Sequence, residues 1–169
     1  MLNYVNKVNA SDQAVKTCRI NVTAAARNVR EMALNPDKST YDDYEQDAKE
    51  KLEDVDVQLK TIKKSGIVPE NQYNEYSKAL SDWANTGYSI MDKIKAGQKD
   101  EAVDQIINEC TPKLNQTVEL AKEINKLTDE RSHQAVVRTY VCAAVGLIVI
   151  IVCLICAWQL TKRTGKIVL

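Results

Sequence analysis

Phenylalanine is absent from this chain of 169 residues, and only two tryptophans, five glycines and three prolines occur in it. A strand-rich domain would need more turn residues and more aromatic side chains than this composition provides. With 44% apolar and 27% charged residues, the composition instead suits long helices. It excludes an all-β fold and predicts an all-α one.

The chain also lacks a surplus of positive charge. Lysine plus arginine and aspartate plus glutamate each number 23, which gives a formal net charge of zero. Residues 1–138 hold every acidic residue and all but three of the basic ones, so this part is slightly acidic. A nucleic-acid-binding domain needs clustered basic side chains to neutralise phosphates, so we expect no nucleic-acid partner.

Residues suited to catalysis or metal binding are scarce. His133 is the only histidine, so no histidine cluster can hold a metal and a Ser-His-Asp triad has no support. The paired acids Asp42-Asp43 and Asp100-Glu101 come at predicted helix starts, where they interact favourably with the helix dipole. The sequence therefore predicts a protein that is not an enzyme, with no cofactor and no metal site.

One long uncharged run occurs, at residues 139–160. It is rich in Val, Ile and Leu, and Tyr140 and Trp158 lie near its two ends. About 20 apolar residues in a helix cross the hydrocarbon core of a bilayer, and amphipathic aromatics favour its interfaces. We interpret the run as a transmembrane helix in contact with membrane lipid, since so small a domain could hardly surround a core helix of this kind.

Basic residues near this run give a weak indication of its orientation. Lys162, Arg163 and Lys166 follow it closely, whereas the three basic residues before it are more widely spaced. This density favours a cytoplasmic C-terminus. Two interpretations stay open: a fragment of a longer membrane protein whose first membrane helix lies upstream, or a tail-anchored protein that faces the cytosol.

Breaks in the rest of the chain are few and predict four helices. Turn residues occur at 35–39, 65–69 and 96–97, and each of these segments contains Pro or Gly. Short turns between long helices favour an antiparallel up-down four-helix bundle, whose fourth helix here continues into the transmembrane helix. The predicted helices are about 2–35, 40–65, 69–97 and 99–138.

Apolar residues at intervals of three and four predict one buried stripe on each helix. Tyr73, Tyr76 and Trp83 keep this phase, so we expect them to pack in the core rather than to form a ligand cage. Pro112 interrupts the fourth helix, and a single proline more often kinks a long helix than ends it. The fourth stripe is predicted to contain Val103, Ile107, Cys110, Leu114, Val118, Ala121, Ile124 and Leu127.

The chain resembles a known family in one short run and in its architecture. A Thr-x-Arg-Ile-Asn run at Thr17, Arg19, Ile20 and Asn21 lies on the first long helix. A segment with three basic residues at 161–167, which we call the basic exit, follows the membrane helix. Together with the predicted bundle, these features are similar to the extracytoplasmic sensor half of bacterial methyl-accepting chemotaxis proteins.

The resemblance implies a homodimer with a ligand pocket near the distal end of the bundle, between the subunits. It also implies a piston-like displacement of the fourth helix through the cell membrane into a HAMP linker and a kinase-control coil, which this chain lacks. Residues 161–169 would then begin a cytoplasmic HAMP-like linker, and the bundle would be extracytoplasmic. The expected partners are a small-molecule ligand or a periplasmic binding protein.

The resemblance extends to site residues at one position. Aspartate and serine receptors of the family bind the ligand carboxylate with arginines on the first helix; Arg19 matches the first of these, and the other two positions fall on Ala24 and Asn28. Arg27 and Arg30 lie off the buried stripe and nearer the distal end, where their guanidinium groups suit a different anion. The alternative is that Arg27 and Arg30 are solvated surface side chains.

Small residues on one side of the membrane helix predict a dimer face. Cys142, Ala143 and Gly146 are spaced so that they lie together on a helix surface. Small side chains at such positions allow two membrane helices to approach closely.

Two classes of function fit the sequence. The first is the sensing and transmitting part of a chemoreceptor, or the same input domain of a sensor histidine kinase or cyclase. The second is a complete tail-anchored helical tethering protein of the kind that drives membrane fusion. In a membrane-fusion protein of this kind we would expect a Gln or Arg at the middle of the buried stripe. Here Cys110, Leu114 and Val118 lie on the fourth stripe, and Gln116 lies off it. The sequence therefore favours the receptor.

Overall fold

The computed structural model describes residues 2–164 and the side chains of residues 3–158. Every regular element in this part of the chain is helical, which confirms the predicted all-α fold. A 3₁₀ turn at Lys38–Thr40 and a π-helical turn at Ile106–Cys110, named the π turn, accompany five α-helices, α1 to α5. The helices are Leu2–Leu34, Tyr41–Ser65, Glu70–Lys95, Lys99–Gln105 and Thr111–Thr164. We refer to α4, the π turn and α5 together as the fourth bundle helix.

Hydrogen bonds at both ends of α1 show that it runs antiparallel to the fourth bundle helix. Near the start of α1, the Asp12 carboxylate accepts hydrogen bonds from Asn125 Nδ2 at 2.8 Å and Thr128 Oγ1 at 3.0 Å. Near its end, Arg30 Nη2 donates to Thr111 Oγ1 at 3.3 Å. The partner numbers fall as the α1 numbers rise, so the two helices have opposite directions.

Contacts of α3 complete the up-down arrangement. Lys95, at the end of α3, forms an ion pair of 2.8 Å with Asp42 at the start of α2. Lys113 Nζ in α5 donates to Thr86 Oγ1 in α3 at 2.7 Å. Consecutive helices are thus neighbours, and α3 lies between α2 and the fourth bundle helix, as the predicted four-helix bundle requires.

One end of the bundle is defined by the turns that follow α1 and α3. Lys99 Nζ, after the second of these turns, donates to the Asn35 carbonyl in the first at 3.2 Å. We call this end the tip. The turn between α2 and α3 lies at the opposite end, where Arg131 of α5 donates to the Ile67 carbonyl.

The core is built from side chains that repeat at intervals of three and four, as predicted. On α3, Tyr76 and Trp83 are fully buried and Tyr73 packs against the core, so their interpretation as packing residues is confirmed. On α1 the predicted stripe of Val15, Cys18, Val22, Ala25, Val29 and Met32 is buried.

The turns follow the sequence signals with one exception. Gly66 ends α2 with a φ of 66°, and Pro69 occupies the cap position of α3. Before α2, however, neither Ser39 nor Thr40 caps the helix with a side-chain hydrogen bond, although serine and threonine are common helix caps. A 3₁₀ turn precedes α2, so the Asp37 carboxylate caps that turn instead, accepting hydrogen bonds from the Ser39 N–H at 2.9 Å and the Ser39 hydroxyl at 2.7 Å. These bonds hold the pKa of Asp37 below its ordinary value.

The π turn replaces the simple kink expected at Pro112. Proline has no N–H for the carbonyl four residues earlier, and its ring would crowd that carbonyl in an α-helix. A π turn contains one residue more than an α-helical turn and commonly accommodates such a disruption. The turn at Ile106–Cys110 ends two residues before Pro112, where it can relieve this conflict.

The extra residue changes which side chains of the fourth bundle helix are buried. Ala102 and Ile106 are in the core, whereas Val103 and Ile107 are 38% and 62% exposed. The predicted burial of Val103 and Ile107 is therefore wrong, because that prediction presumes an unbroken α-helix.

From Cys110, the last residue of the π turn, onward, the predicted stripe is largely confirmed. Cys110, Leu114, Ala121 and Ile124 are buried. The structure differs from the prediction at two positions. Val118 and Leu127 are only half-buried, and the neighbouring Thr117 and Thr128 are buried instead. Each threonine hydroxyl is satisfied by a carbonyl three residues earlier, which makes its burial tolerable.

The chain divides into two compact units between Arg131 and Ser132. The first unit holds the bundle, and the second holds the rest of α5. The helix that contains this second unit is long and apolar enough to cross a membrane, and its side chains from Tyr140 to Trp158 are exposed. The side chains expected to begin the linker, at 161–169, lie outside those that the structure describes.

Candidate functional site

A groove of about 480 Å³ lies beside the outer face of α1. Its α1 residues follow the spacing of one helix face, on the side away from the buried stripe. Only one residue of α5 contributes to it. The lining residues are Arg19, Ile20, Thr23, Ala24, Arg27 and Val118, and we call this feature the arginine groove.

The two guanidinium groups of the arginine groove are not neutralised within the described part of the chain. No ion pair there joins Arg19 or Arg27 to a carboxylate. Arg27 is exposed and Arg19 is half-buried. A guanidinium presents donors that match both oxygens of a carboxylate, so the groove carries two positive groups able to bind an anion.

The groove also has an apolar side. Ile20 is 64% exposed, and Val118 of α5 is half-buried. The Thr23 hydroxyl donates to the Arg19 carbonyl at 2.7 Å, so its hydrogen is already engaged. An organic anion with a hydrocarbon portion would match both the cationic and the apolar parts of this surface.

The third candidate arginine lies elsewhere. Arg30 is half-buried and donates to Thr111 Oγ1, next to the π turn. The structure thus brings Arg19 and Arg27 together and places Arg30 outside the arginine groove. The assignment of all three to ligand binding stays a prediction.

Ala24 and Asn28, which occupy the positions where the resemblance implies arginine, lie in different surroundings. Ala24 lines the arginine groove. Asn28 is buried and its amide donates to Asp47 of α2 at 2.5 Å, so it faces the neighbouring helix. Only the first of these positions, together with Arg19, belongs to the groove.

A polar ladder between α1 and α2 is absent from the sequence-based predictions. Asn21 Nδ2 donates to Asp54 Oδ2 at 2.6 Å, and Asn28 repeats the arrangement with Asp47 one heptad nearer the tip. The two asparagines and the two aspartates each recur at seven residues, which is the signal that could have revealed the pairing. The ladder fixes the register of α1 on α2.

A second polar cluster joins α1 to α5 at the end away from the tip. Asp12 accepts from Asn125 and Thr128 and forms an ion pair of 2.6 Å with Lys16. The hydrogen bond to Asp12 raises the pKa of Lys16 above its ordinary value. Because Asn125 and Thr128 belong to the helix that continues beyond the bundle, this cluster fixes the register of that helix against α1.

The bundle cysteines are buried thiols. Burial raises the pKa of Cys18 to about 12, and it also raises the pKa of Cys110. Both are therefore protonated at neutral pH, and the Cys18 thiol donates weakly to the Val55 carbonyl at 3.8 Å. They behave as small core residues rather than as nucleophiles.

The predicted dimer face in the second unit is exposed in the single chain. Cys142, Ala143 and Gly146 are all accessible, and a Cβ added at Gly146 would meet no atom within 4 Å. The face is open to a second helix, and its role in dimerisation stays a prediction.

Comparison with known proteins agrees with this architecture. A family model described as a four helix bundle sensory module for signal transduction matches residues 13–139. No curated protein matches the chain significantly. The matched segment covers most of the chain, including α1 from residue 13 onward, α2 to α4 and the bundle part of α5. The chain therefore belongs to the family of four-helix-bundle sensory modules for signal transduction found in chemoreceptors.

Proposed function

We propose that this chain is the extracytoplasmic ligand-sensing and transmembrane signal-transmitting part of a methyl-accepting chemotaxis protein, and that it acts as a homodimer. Membership of the sensory-module family supports the sensing role. A helix apolar enough to cross a membrane supports the transmembrane role. In this proposal the bundle is extracytoplasmic and the C-terminus is cytoplasmic.

The ligand in this proposal is a small organic anion that binds in the arginine groove. The observation that carries it is the presence of Arg19 and Arg27 in one groove, without an ion pair to any described carboxylate. Arg27 lies about 12 Å and Arg19 about 24 Å below Asn35 at 1.5 Å per residue. The site would face a second subunit across the exposed side of α1, where Ile20 would also be covered.

Transmission in this proposal uses the covalent continuity of α5. One helix, Thr111–Thr164, contains a groove residue, the Asp12-binding residues and the apolar run. An axial displacement imposed on Val118 by a ligand is carried along a hydrogen-bonded helix with little loss, because the helix is stiff along its axis. A displacement of one to two ångströms is typical of helix shifts at subunit interfaces.

Calorimetry tests the ligand site. The full chain in detergent micelles is titrated with a panel of amino acids and dicarboxylic and tricarboxylic acids. We expect at least one to bind, and Arg19→Ala and Arg27→Ala each to weaken binding about tenfold or more through loss of a charge-assisted contact. Lys60→Ala, which removes an exposed cation on α2, is the matched control.

Arg30→Ala separates the groove from the other candidate arginine. Because Arg30 bonds to Thr111 outside the arginine groove, we expect this variant to keep the affinity of the unaltered chain. Equal binding by the Arg19, Arg27 and control variants would contradict the site. Absence of binding by any compound would favour input through a periplasmic binding protein.

A further inference from the structure

The fourth bundle helix contains two alternative sets of core residues, offset by one position. Ala102 and Ile106, named the inner pair, are 0% and 9% exposed. Val103 and Ile107, named the outer pair, are exposed on the same two turns. We propose that the π turn is a two-state register switch, in which conversion of 106–110 to α-helix turns the outer pair into the core and the inner pair out.

The stripe beyond the π turn points to the outer pair. The steps between its buried residues alternate strictly between four and three, the spacing of a seam in an unbroken helix. Continued towards the tip in the same phase, the seam reaches Ile107 and then Val103, and it passes by the inner pair. The buried residues that set this phase are Cys110, Leu114, Thr117, Ala121, Ile124 and Thr128.

The two pairs are similar enough in shape for either to fill the core. Ile107 would replace Ile106, which is an exchange of identical side chains. Val103 would replace Ala102 and add two carbon atoms to the buried surface, which favours the α-helical state when the space is available. In the present register, the exposed Val103 and Ile107 side chains contribute no apolar burial. In the other register they would, so the sequence is suited to both.

Several groups hold the π state. Pro112 cannot donate to the Asn108 carbonyl and would crowd it in an α-helix, so this proline carries a penalty for the α-helical register. The Thr111 N–H bonds to the Ile106 carbonyl across the π turn, and Thr111 Oγ1 donates to the same carbonyl at 2.8 Å. Arg30 donates to Thr111 Oγ1 and so supports this arrangement from α1.

Conversion is a local movement of the short helix α4. Tightening of the π turn to α-helical geometry rotates α4 by about 100° and shifts it by about 1.5 Å relative to α5. Gly97, with a φ of 83°, lies in the turn that links α4 to α3 and tolerates a change of backbone direction. The bond from Lys99 to the Asn35 carbonyl and the bond from the Ser89 hydroxyl to Gln105 Oε1 would break, so the tip would rearrange.

The switch does not depend on the proposed function, although its use in signalling would. A partner or ligand that binds the outer pair, or that competes for Arg30, would stabilise one register over the other. The effect would be set by the difference in its affinity for the two states.

Thiol accessibility tests the switch in the full chain, in detergent micelles. Cys142, Cys153 and Cys156 are first replaced by Ala, the buried Cys18 and Cys110 are kept, and one further cysteine is then placed by Ala102→Cys or Val103→Cys. With Pro112 present, we expect a maleimide to label position 103 at least tenfold faster than position 102. With Pro112→Ala, the penalty on the α-helical register is removed and we expect this ratio to reverse.

Two matched variants make the test specific. Pro69→Ala removes a proline outside the fourth bundle helix and should leave the labelling ratio unchanged. Deletion of Asn108 removes the extra residue while keeping the inner pair in phase with Cys110, so Pro112→Ala in that background should not reverse the ratio. A ratio unaffected by Pro112→Ala in the undeleted chain, or reversed equally in both backgrounds, would overturn the proposal.

Discussion

Replacement of Trp83 by Ala is expected to lower the free energy of unfolding of the bundle by about 3–5 kcal/mol. Trp83 is fully buried in α3 and is among the largest side chains in the core. Its removal forfeits apolar burial and leaves a cavity that long packed helices cannot readily close. Urea unfolding of the full chain in detergent micelles, followed by helical circular dichroism, measures the change.

Gly87→Ala is the matched control for Trp83→Ala. An added Cβ at Gly87 would lie 3.7 Å from Trp83 Cη2 and 3.9 Å from Val29 Cγ2, which are ordinary contacts. Alanine is favoured over glycine within a helix by about 1 kcal/mol, so stability should be unchanged or slightly higher. A loss below 1 kcal/mol for Trp83→Ala would contradict the packing described for α3.

Truncation after Arg138 is expected to release the protein from the membrane. The truncated chain keeps the bundle and loses the uncharged run at 139–160, whose apolar side chains are exposed as far as Trp158 and are the basis for the proposed membrane span. A helix of about 20 apolar residues is strongly retained by a bilayer. The measurement is the fraction of protein that sediments with membranes after extraction with alkaline carbonate.

A second truncation controls for the loss of the C-terminal segment itself. A chain that ends at Leu160 lacks the basic exit but keeps the apolar run, and we expect it to stay in the membrane fraction. Retention of the chain that ends at Arg138 would show that some other segment anchors the protein. Release of both truncated chains would show that the apolar run alone is insufficient.

The bundle could be predicted from the sequence because its signals are local. Gly66 and Pro69 mark a turn through backbone restrictions that act within a few residues. The regular spacing of Val15, Cys18 and Val22 then reports directly which face of α1 is buried. Neither signal requires knowledge of the other helices.

The π turn could not be predicted in the same way, because the periodicity favours the register that the structure does not adopt. Val103 and Ile107 continue the stripe of α5 in phase, and they are nevertheless exposed. Pro112 follows the π turn closely, and Arg30, which is distant in sequence, donates a hydrogen bond to Thr111 beside that turn. The spacing of the apolar residues reports neither of these features.

For a similar reason, the sequence predicts only part of the arginine groove. Arg19 and Arg27 are eight residues apart, so a helical face brings them to one groove. Arg30 is separated from them by its contact with Thr111 of α5, which no spacing on α1 reveals. The contribution of Val118 to the groove likewise depends on how two helices pack.

The most direct measurement of the central claim is signal transmission by this chain in a hybrid receptor. Residues 2–164 replace the sensory module and second membrane helix of a chemoreceptor with a known kinase output. We predict that at least one compound of the organic-acid panel changes the activity of the coupled kinase, and that Arg19→Ala with Arg27→Ala abolishes the response while Lys60→Ala preserves it. Kinase activity that stays constant across the panel, or a response that survives loss of both arginines, would contradict the account.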